Sequence, residues 1–248
     1  MKCGGRVEAD PTLGVFIGQD ATRRYPRANG GDLSGAASAF AAAELGAYFA
    51  VCAHLEAASV VAFDALGKEL AAHGLPDDVI VACARAAREE EEHARVTRAL
   101  THQFGGAALP LFVSARRAPR ALVDIAIENA VEGCVGEVFG AAEALFRALK
   151  AADPEVRVAL SSIAADEAGH ADLSMQISHL LAARLDRAER LHVREAMENA
   201  RRRLRDEIAR REWDPALVRI ARVPRQTEAL AIFDGLEAAI WSPMSAAA

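Results

Sequence analysis

The chain has four cysteines, Cys3, Cys52, Cys83 and Cys134, and no two of them are spaced as Cys-x-x-Cys. That spacing is typical of cysteine-ligated zinc sites and of rubredoxin-type iron centres, so neither kind of site is expected. Isolated cysteines in helical segments are commonly small buried hydrophobic residues. This cysteine usage is typical of a reducing cytoplasm.

Long apolar runs are also missing. No stretch of about 18 uninterrupted apolar residues occurs, so we expect no membrane-spanning helix. The start of the chain lacks the apolar region of a secretory signal peptide. We therefore expect a cytoplasmic protein. The alternative is a trimmed lipoprotein whose mature end would lie near Cys3.

Positive charge is not in excess, because the chain has 29 Lys and Arg residues and 35 Asp and Glu residues, which gives a net charge of −6. A broad basic surface for nucleic acid is therefore not expected. Alternating β-branched runs are scarce, and much of the 52% hydrophobic content is alanine, which favours helix. Together these features predict an all-α protein.

Glycine and proline divide the chain into segments. Residues 1–34 are expected to be irregular, residues 35–184 to form a four-helix bundle, and residues 185–248 to add further helices. The predicted helices cover about 35–73, 77–103, 120–151, 154–184, 187–211 and 226–241. A loop of about a dozen residues after the second helix is long enough for a crossover between two helical pairs. The last amphipathic helix is expected to pack on the bundle or against a second subunit, which suggests a homodimer.

Two Glu-x-x-His motifs lie on predicted helices, at Glu90–His93 and at Glu167–His170. Each follows a single glutamate in an apolar helix at a similar interval, which is 34 residues after Glu56 and 35 after Glu132. The matching intervals indicate an internal repeat of one two-helix unit. Each unit supplies two carboxylates and one imidazole.

Residues three positions apart on an α-helix point within about 60° of each other, so a Glu and a His at that spacing reach one metal region. The interval of about 34 residues covers a helix, a turn and the return to the same depth. Four glutamates would balance the charge of two divalent cations, whereas without cations their burial would be very costly. Oxygen and imidazole donors without thiolate suit iron or manganese.

This ligand plan resembles that of the ferritin-like superfamily of di-iron and di-manganese carboxylate proteins. The resemblance covers roughly residues 40–180 and implies a ferritin-like four-helix bundle with a long crossover between helix pairs. It implies that Glu56, Glu90 and His93 bind one metal, and that Glu132, Glu167 and His170 bind the other. Glu90 and Glu167 would bridge the two. The implied cofactors are two iron ions, with two manganese ions or a mixed pair as alternatives.

The acids next to the motifs are candidates for supporting roles. By the same resemblance, Asp166 would hold the Nδ1 proton of His93, and Glu89 that of His170, which would fix the orientation of each ring. A solvated acidic run is the alternative for Glu89. Glu128, one turn before Glu132, could be an alternative ligand, a proton relay or a structural acid.

Gly136 lies one helical turn after Glu132 and faces the expected centre. A pocket beside one metal and close helix packing are equally consistent with a glycine there. Some oxygenases of the superfamily have a threonine at this place, and its absence weakens a transfer of their chemistry to this chain.

The implied function is a redox enzyme that activates O2 or peroxide, most consistent with an oxidase or oxygenase acting on a small organic substrate with an external electron donor. The alternatives are a catalase- or peroxidase-type enzyme, an iron-storage protein, and a helical interaction protein with a vestigial metal site.

Overall fold

The structure, a computed structural model, describes residues 33–111, 119–151 and 154–247. Within these ranges the chain is helical and contains no β-strand, which confirms the predicted all-α class. The irregular segment predicted for residues 1–34 lies almost entirely outside the described residues.

Most of the described chain lies in long helices whose ends fall close to the predicted positions. The α-helices are α1 (Leu33–Ala72), α2 (Asp77–Gln103), α3 (Leu122–Glu128), α4 (Val138–Lys150), α5 (Pro154–Ala182), α6 (Arg187–Arg210), α7 (Gln226–Leu236) and α8 (Ser242–Ala247). Three π-helical segments are π1 (Asn129–Glu137), π2 (Leu217–Ala221) and π3 (Glu237–Trp241). Because α3, π1 and α4 are continuous, the predicted third helix is one rod with a π-helical middle.

The long rods pair as two hairpins. Helix α1 packs along α2, and α4 with π1 packs along α5, while α2 and α5 contact each other between the hairpins. The first hairpin turns at Gly74, which has a positive φ of 66°. The amide of Leu75 bonds back to the carbonyl of Leu70 at 3.0 Å, which closes the end of α1 in the manner typical of a glycine cap.

The connection between the hairpins is described at its two ends. It starts where Gly106 packs directly on Gly46, since a Cβ on Gly106 would lie 2.5 Å from the Gly46 carbonyl oxygen. It ends where Arg120 pairs with Glu69 at 2.7 Å. Gly46 and Glu69 are separated by about 35 Å of α1 at 1.5 Å per residue. The described ends of this connection thus lie far apart along α1, as a long crossover requires.

The C-terminal helices cover the π-helical middle of the third rod. Phe233 of α7 and Trp241 of π3 are buried in one apolar cluster with Cys134 and Val135 of π1. The indole Nε1 of Trp241 donates a 2.8 Å hydrogen bond to the carbonyl of Cys134. The last amphipathic helix therefore packs on its own chain, and its apolar face gives no support to the predicted homodimer.

Helix α1 contains a segment, Ala39–Ala72, that is long and apolar enough to cross a membrane. Just over half of its apolar window, 56%, is buried inside the protein, and a core helix of a bundle has the same composition. The segment is therefore weak evidence for a membrane, and the cytoplasmic location stays a prediction.

Two glycines of the third rod should respond oppositely to alanine. A Cβ on Gly133 would lie 2.7 Å from Ser174 Oγ, whereas one on Gly140 would meet nothing within 4 Å. We expect Gly133→Ala to lower the free energy of unfolding by about 1–3 kcal/mol through overpacking. Gly140→Ala should raise it by up to about 1 kcal/mol through helix propensity. Urea denaturation of both variants measures this, and equal effects would contradict the close packing at Gly133.

Candidate metal centre

Six buried side chains from four elements converge between the two hairpins. They are Glu56 of α1, Glu90 and His93 of α2, Glu137 of π1, and Glu167 and His170 of α5. None of them exposes more than 6% of its surface. Five of the six were predicted from the sequence, and Glu137 was not.

The six residues form two overlapping groups, each of which could hold a metal ion. One group is Glu56, Glu90, His93 and Glu167, and the other is Glu90, Glu137, Glu167 and His170. Within each group the donor atoms lie within 4.8 Å of one another. Glu90 and Glu167 belong to both groups, and these are the residues predicted to bridge.

Glu132 belongs to neither group, and Glu137 takes the place predicted for it. The prediction assumed a regular α-helix, in which Gly136 lies one turn after Glu132. In a π-helix the hydrogen bonds run from residue i to i+5, so a turn holds more residues than in an α-helix and the side chains of the segment take other directions than a regular helix predicts. The π segment therefore changes which acid reaches the centre. The available signal was a second glutamate five residues after Glu132, in a stretch that contains two glycines.

Specific side chains accompany the π-helical geometry of π1. Gly133 allows Ser174 of α5 to approach the rod backbone closely. The amide of Asn129 donates a 2.9 Å hydrogen bond to the carbonyl of Ser174. Trp241 binds the carbonyl of Cys134 from the other side. The rod is thus held on both sides of the segment that delivers Glu137.

Each histidine is braced by an acid from the opposite motif. Asp166 lies 3.0 Å from Nε2 of His93, and Glu89 lies 3.0 Å from Nε2 of His170. The predicted pairs are therefore present, but the predicted ring nitrogen is wrong. The nitrogen nearer the backbone, Nδ1, faces the carboxylates of the centre, at 3.3 Å from Glu90 in His170 and 3.5 Å in His93. The far nitrogen, Nε2, is the one that reaches across to the neighbouring helix.

Glu128 does not join the centre. It forms an ion pair with Arg120, whose guanidinium also pairs with Glu69 of α1 at 2.7 Å. Of the three roles left open by the sequence, this contact fits the structural acid, because Arg120 ties the end of the crossover to two rods.

A small cavity lies beside the centre on the π1 side. It is lined by Ser59, Ala62, Phe63, Glu132, Gly133, Glu137 and Ser174. Gly136, the predicted pocket residue, is not part of this lining, because the π-helix turns Gly133 toward α5 instead. Ser59 is 1% exposed, and its hydroxyl has no hydrogen-bond partner among the described residues.

Burial and the neighbouring charged groups shift the pKa values of the glutamates at the centre. Burial raises the pKa of Glu56 well above its usual range, and the charge of Glu90 raises it further. Burial and the neighbouring Glu137 likewise raise the pKa of Glu167. Burial acts against ionisation of Glu90 as well, but the nearby imidazoles outweigh it and lower this pKa to about 2.

In the two histidines, burial and the neighbouring carboxylates act on the pKa in opposite directions. Burial acts to lower the pKa of His170, but contact with Glu90 raises it to about 8. The pKa of His93 is raised for the same reason. Apart from these imidazole contacts at 3.3 Å and 3.5 Å with Glu90, the oxygens of Glu90 and Glu167 form no well-aligned hydrogen bond within the described residues. Such buried acceptors are costly, and a bound cation would satisfy them.

No protein-family model, curated protein or solved structure matches this chain. The geometry of the metal centre is therefore the basis on which a function can be inferred.

Replacing Glu137 should weaken metal binding, whereas replacing Glu132 should not. Glu137→Gln removes a charged donor of one group but keeps its size, so we expect occupancy of that group to fall and its affinity to drop by at least about tenfold. Equilibrium dialysis against Mn(II) with metal analysis measures the occupancy. Glu132→Gln is the matched control, and a larger loss in that control would contradict the observed geometry.

Asp166 and Glu89, which contact Nε2 of the histidines, should strengthen metal binding without being ligands themselves. We expect Asp166→Asn to weaken Mn(II) binding by about 10–100-fold, the range typical of groups that orient a metal-binding histidine. Asp172→Asn changes the same charge at an exposed position of the same helix and should leave the affinity unchanged. Equal affinities in the two variants would argue against the contact with His93.

Proposed function

We propose that this chain is a ferritin-like di-metal carboxylate enzyme that catalyses redox chemistry on O2 or peroxide. The observation that carries the proposal is the pair of buried donor groups that share Glu90 and Glu167. Shared carboxylates favour two adjacent cations over one isolated ion, because each carboxylate has two oxygens to offer.

Charge balance supports two divalent cations. The centre holds four glutamates, each at most 6% exposed, and the other members of the two donor groups are two histidines. Four ionised carboxylates would carry −4, which two divalent ions neutralise. A single ion moved into low dielectric costs of the order of 20 kcal/mol in an idealised treatment. The raised pKa values of Glu56 and Glu167 have the same origin.

The donor chemistry supports a redox metal. Carboxylate and imidazole donors suit iron or manganese, and thiolate is absent from both groups. When bound, such metals supply electron transfer to oxygen species. The protein would contribute orientation, since Asp166 and Glu89 fix the proton at Nε2 and leave Nδ1 to the metal. The apolar residues around the centre would limit access of water.

The size of the cavity beside Glu137 limits the size of a substrate that could enter it. The side chain of Ser174 fills the space that Gly133 leaves, so the glycine opens little room there. A narrow cavity with a free hydroxyl on Ser59 suits a diatomic molecule or water better than an organic substrate. This favours O2 or peroxide as the molecule reduced there, with electrons from an external donor or, in a catalase-type reaction, from a second peroxide.

The proposal is tested with protein loaded anaerobically with Fe(II) or with Mn(II). We expect two ions per chain and consumption of O2 or hydrogen peroxide that depends on them, whereas Glu137→Gln loses both properties. Asp172→Asn should behave as wild type. An oxygen electrode and a peroxide assay measure turnover.

Other outcomes would favour the rival functions. Two bound ions without turnover of either oxidant, in a very large shell on size-exclusion chromatography, would favour iron storage. A purified protein that takes up neither metal would favour a helical interaction protein. Either result overturns the proposed enzyme.

A further inference from the structure

A wide basic cleft lies between the end of the third rod and the C-terminal helices. Its volume is about 750 Å³, within the range of small-molecule sites. Its charged walls are Lys150 at the end of α4, Arg219 and Arg222 around π2, and Arg225 before α7. No acidic side chain lines it among the described residues. The cleft thus concentrates positive charge in a protein whose net charge is −6.

Most of this charge is not neutralised by the protein. Arg222 pairs with Glu228 at 2.9 Å, and Glu228 also accepts the backbone amide of Arg225. Across the described residues, no acid forms an ion pair with Lys150, Arg219 or Arg225. Three cations therefore face one open volume, which would raise the local concentration of an anion.

The wall of the cleft contains an aromatic residue, Trp213. Its ring is fixed edge-to-face against Tyr48, with centroids 5.8 Å apart, and the guanidinium of Arg211 lies 5.3 Å from its centroid. The indole Nε1 is buried away from solvent, so Trp213 contributes a rigid wall and not a hydrogen-bond donor to the open volume.

Arg222 is held in place before any ligand arrives. Its backbone has a positive φ of 51°, which is uncommon for a residue with a side chain. Its guanidinium lies 5.5 Å from the ring centroid of Phe146 and is paired with Glu228. The nearby Asp214 is not part of the cleft lining, and its carboxylate accepts the amide of Ala216 at 2.7 Å.

We propose that this cleft binds a small molecule carrying phosphate groups, with Arg219, Arg225 and Lys150 holding the phosphates beside the Trp213 wall. Guanidinium groups match phosphate oxygens in pairs, and several cations match the charge of a di- or polyphosphate. The inference is independent of the metal centre, since no residue of the cleft belongs to either donor group.

Inorganic pyrophosphate is the probe, measured by isothermal titration calorimetry and by tryptophan fluorescence on the full chain. The Arg219→Gln, Arg225→Gln double variant should bind at least about tenfold more weakly, as expected for lost charge-assisted hydrogen bonds. Arg98→Gln, Arg203→Gln has the same net charge change at exposed positions elsewhere and should bind as wild type. Trp213→Phe should keep its affinity in calorimetry and lose the fluorescence change, because Trp213 is the tryptophan in the cleft wall.

Three results of the pyrophosphate and citrate titrations would overturn the proposal. They are no binding at millimolar pyrophosphate, equal weakening in the two double variants, and equally tight binding of citrate, which would show that any polyanion suffices. Glu137→Gln should keep its pyrophosphate affinity. Metal content measured before and after titration separates cleft binding from chelation of the metal centre, and binding explained entirely by chelation would also contradict the proposal.

Discussion

The burial of four carboxylates at one depth is the constraint on which this architecture depends. Glu56, Glu90, Glu137 and Glu167 are withdrawn from water between the two hairpins. Burial raises the pKa of Glu56 and Glu167, whereas the two imidazoles lower that of Glu90 and keep it ionised. An apolar core of this size does not require such residues, so their presence calls for a function.

The same residues also connect the two hairpins. His93 of α2 bonds to Asp166 of α5, and His170 of α5 bonds to Glu89 of α2. Each contact orients an imidazole and at the same time links helices from different hairpins. Because the two contacts are reciprocal, sliding α2 along α5 would lengthen both together. The centre and the register of the bundle are therefore set by the same pair of hydrogen bonds.

The sequence predicted those side chains of the centre that lie on regular α-helices. Both Glu-x-x-His motifs and Glu56 lie on regular α-helices, so their spacing predicted side chains that the structure brings together. The pairing of Asp166 and Glu89 with the histidines was implied by the resemblance to the ferritin-like superfamily. Glu137 was missed because the π1 segment depends on Ser174 and Trp241, which are remote in the sequence. The basic cleft could not be predicted either, because it joins Lys150 to residues more than sixty positions later.

The π segment makes the two halves of the repeat unequal, and this inequality has a chemical consequence. Glu56 comes from the regular helix α1, whereas its counterpart Glu137 comes from a rod shifted in register, and the small cavity with Ser59 lies beside Glu137. Two cations in this centre would therefore have different surroundings, one enclosed by packed side chains and one next to open space. An oxidant that enters through the cavity would meet the Glu137 side first. In the proposed centre the repeat would thus supply matched donors, and the π segment would set the side that faces the cavity.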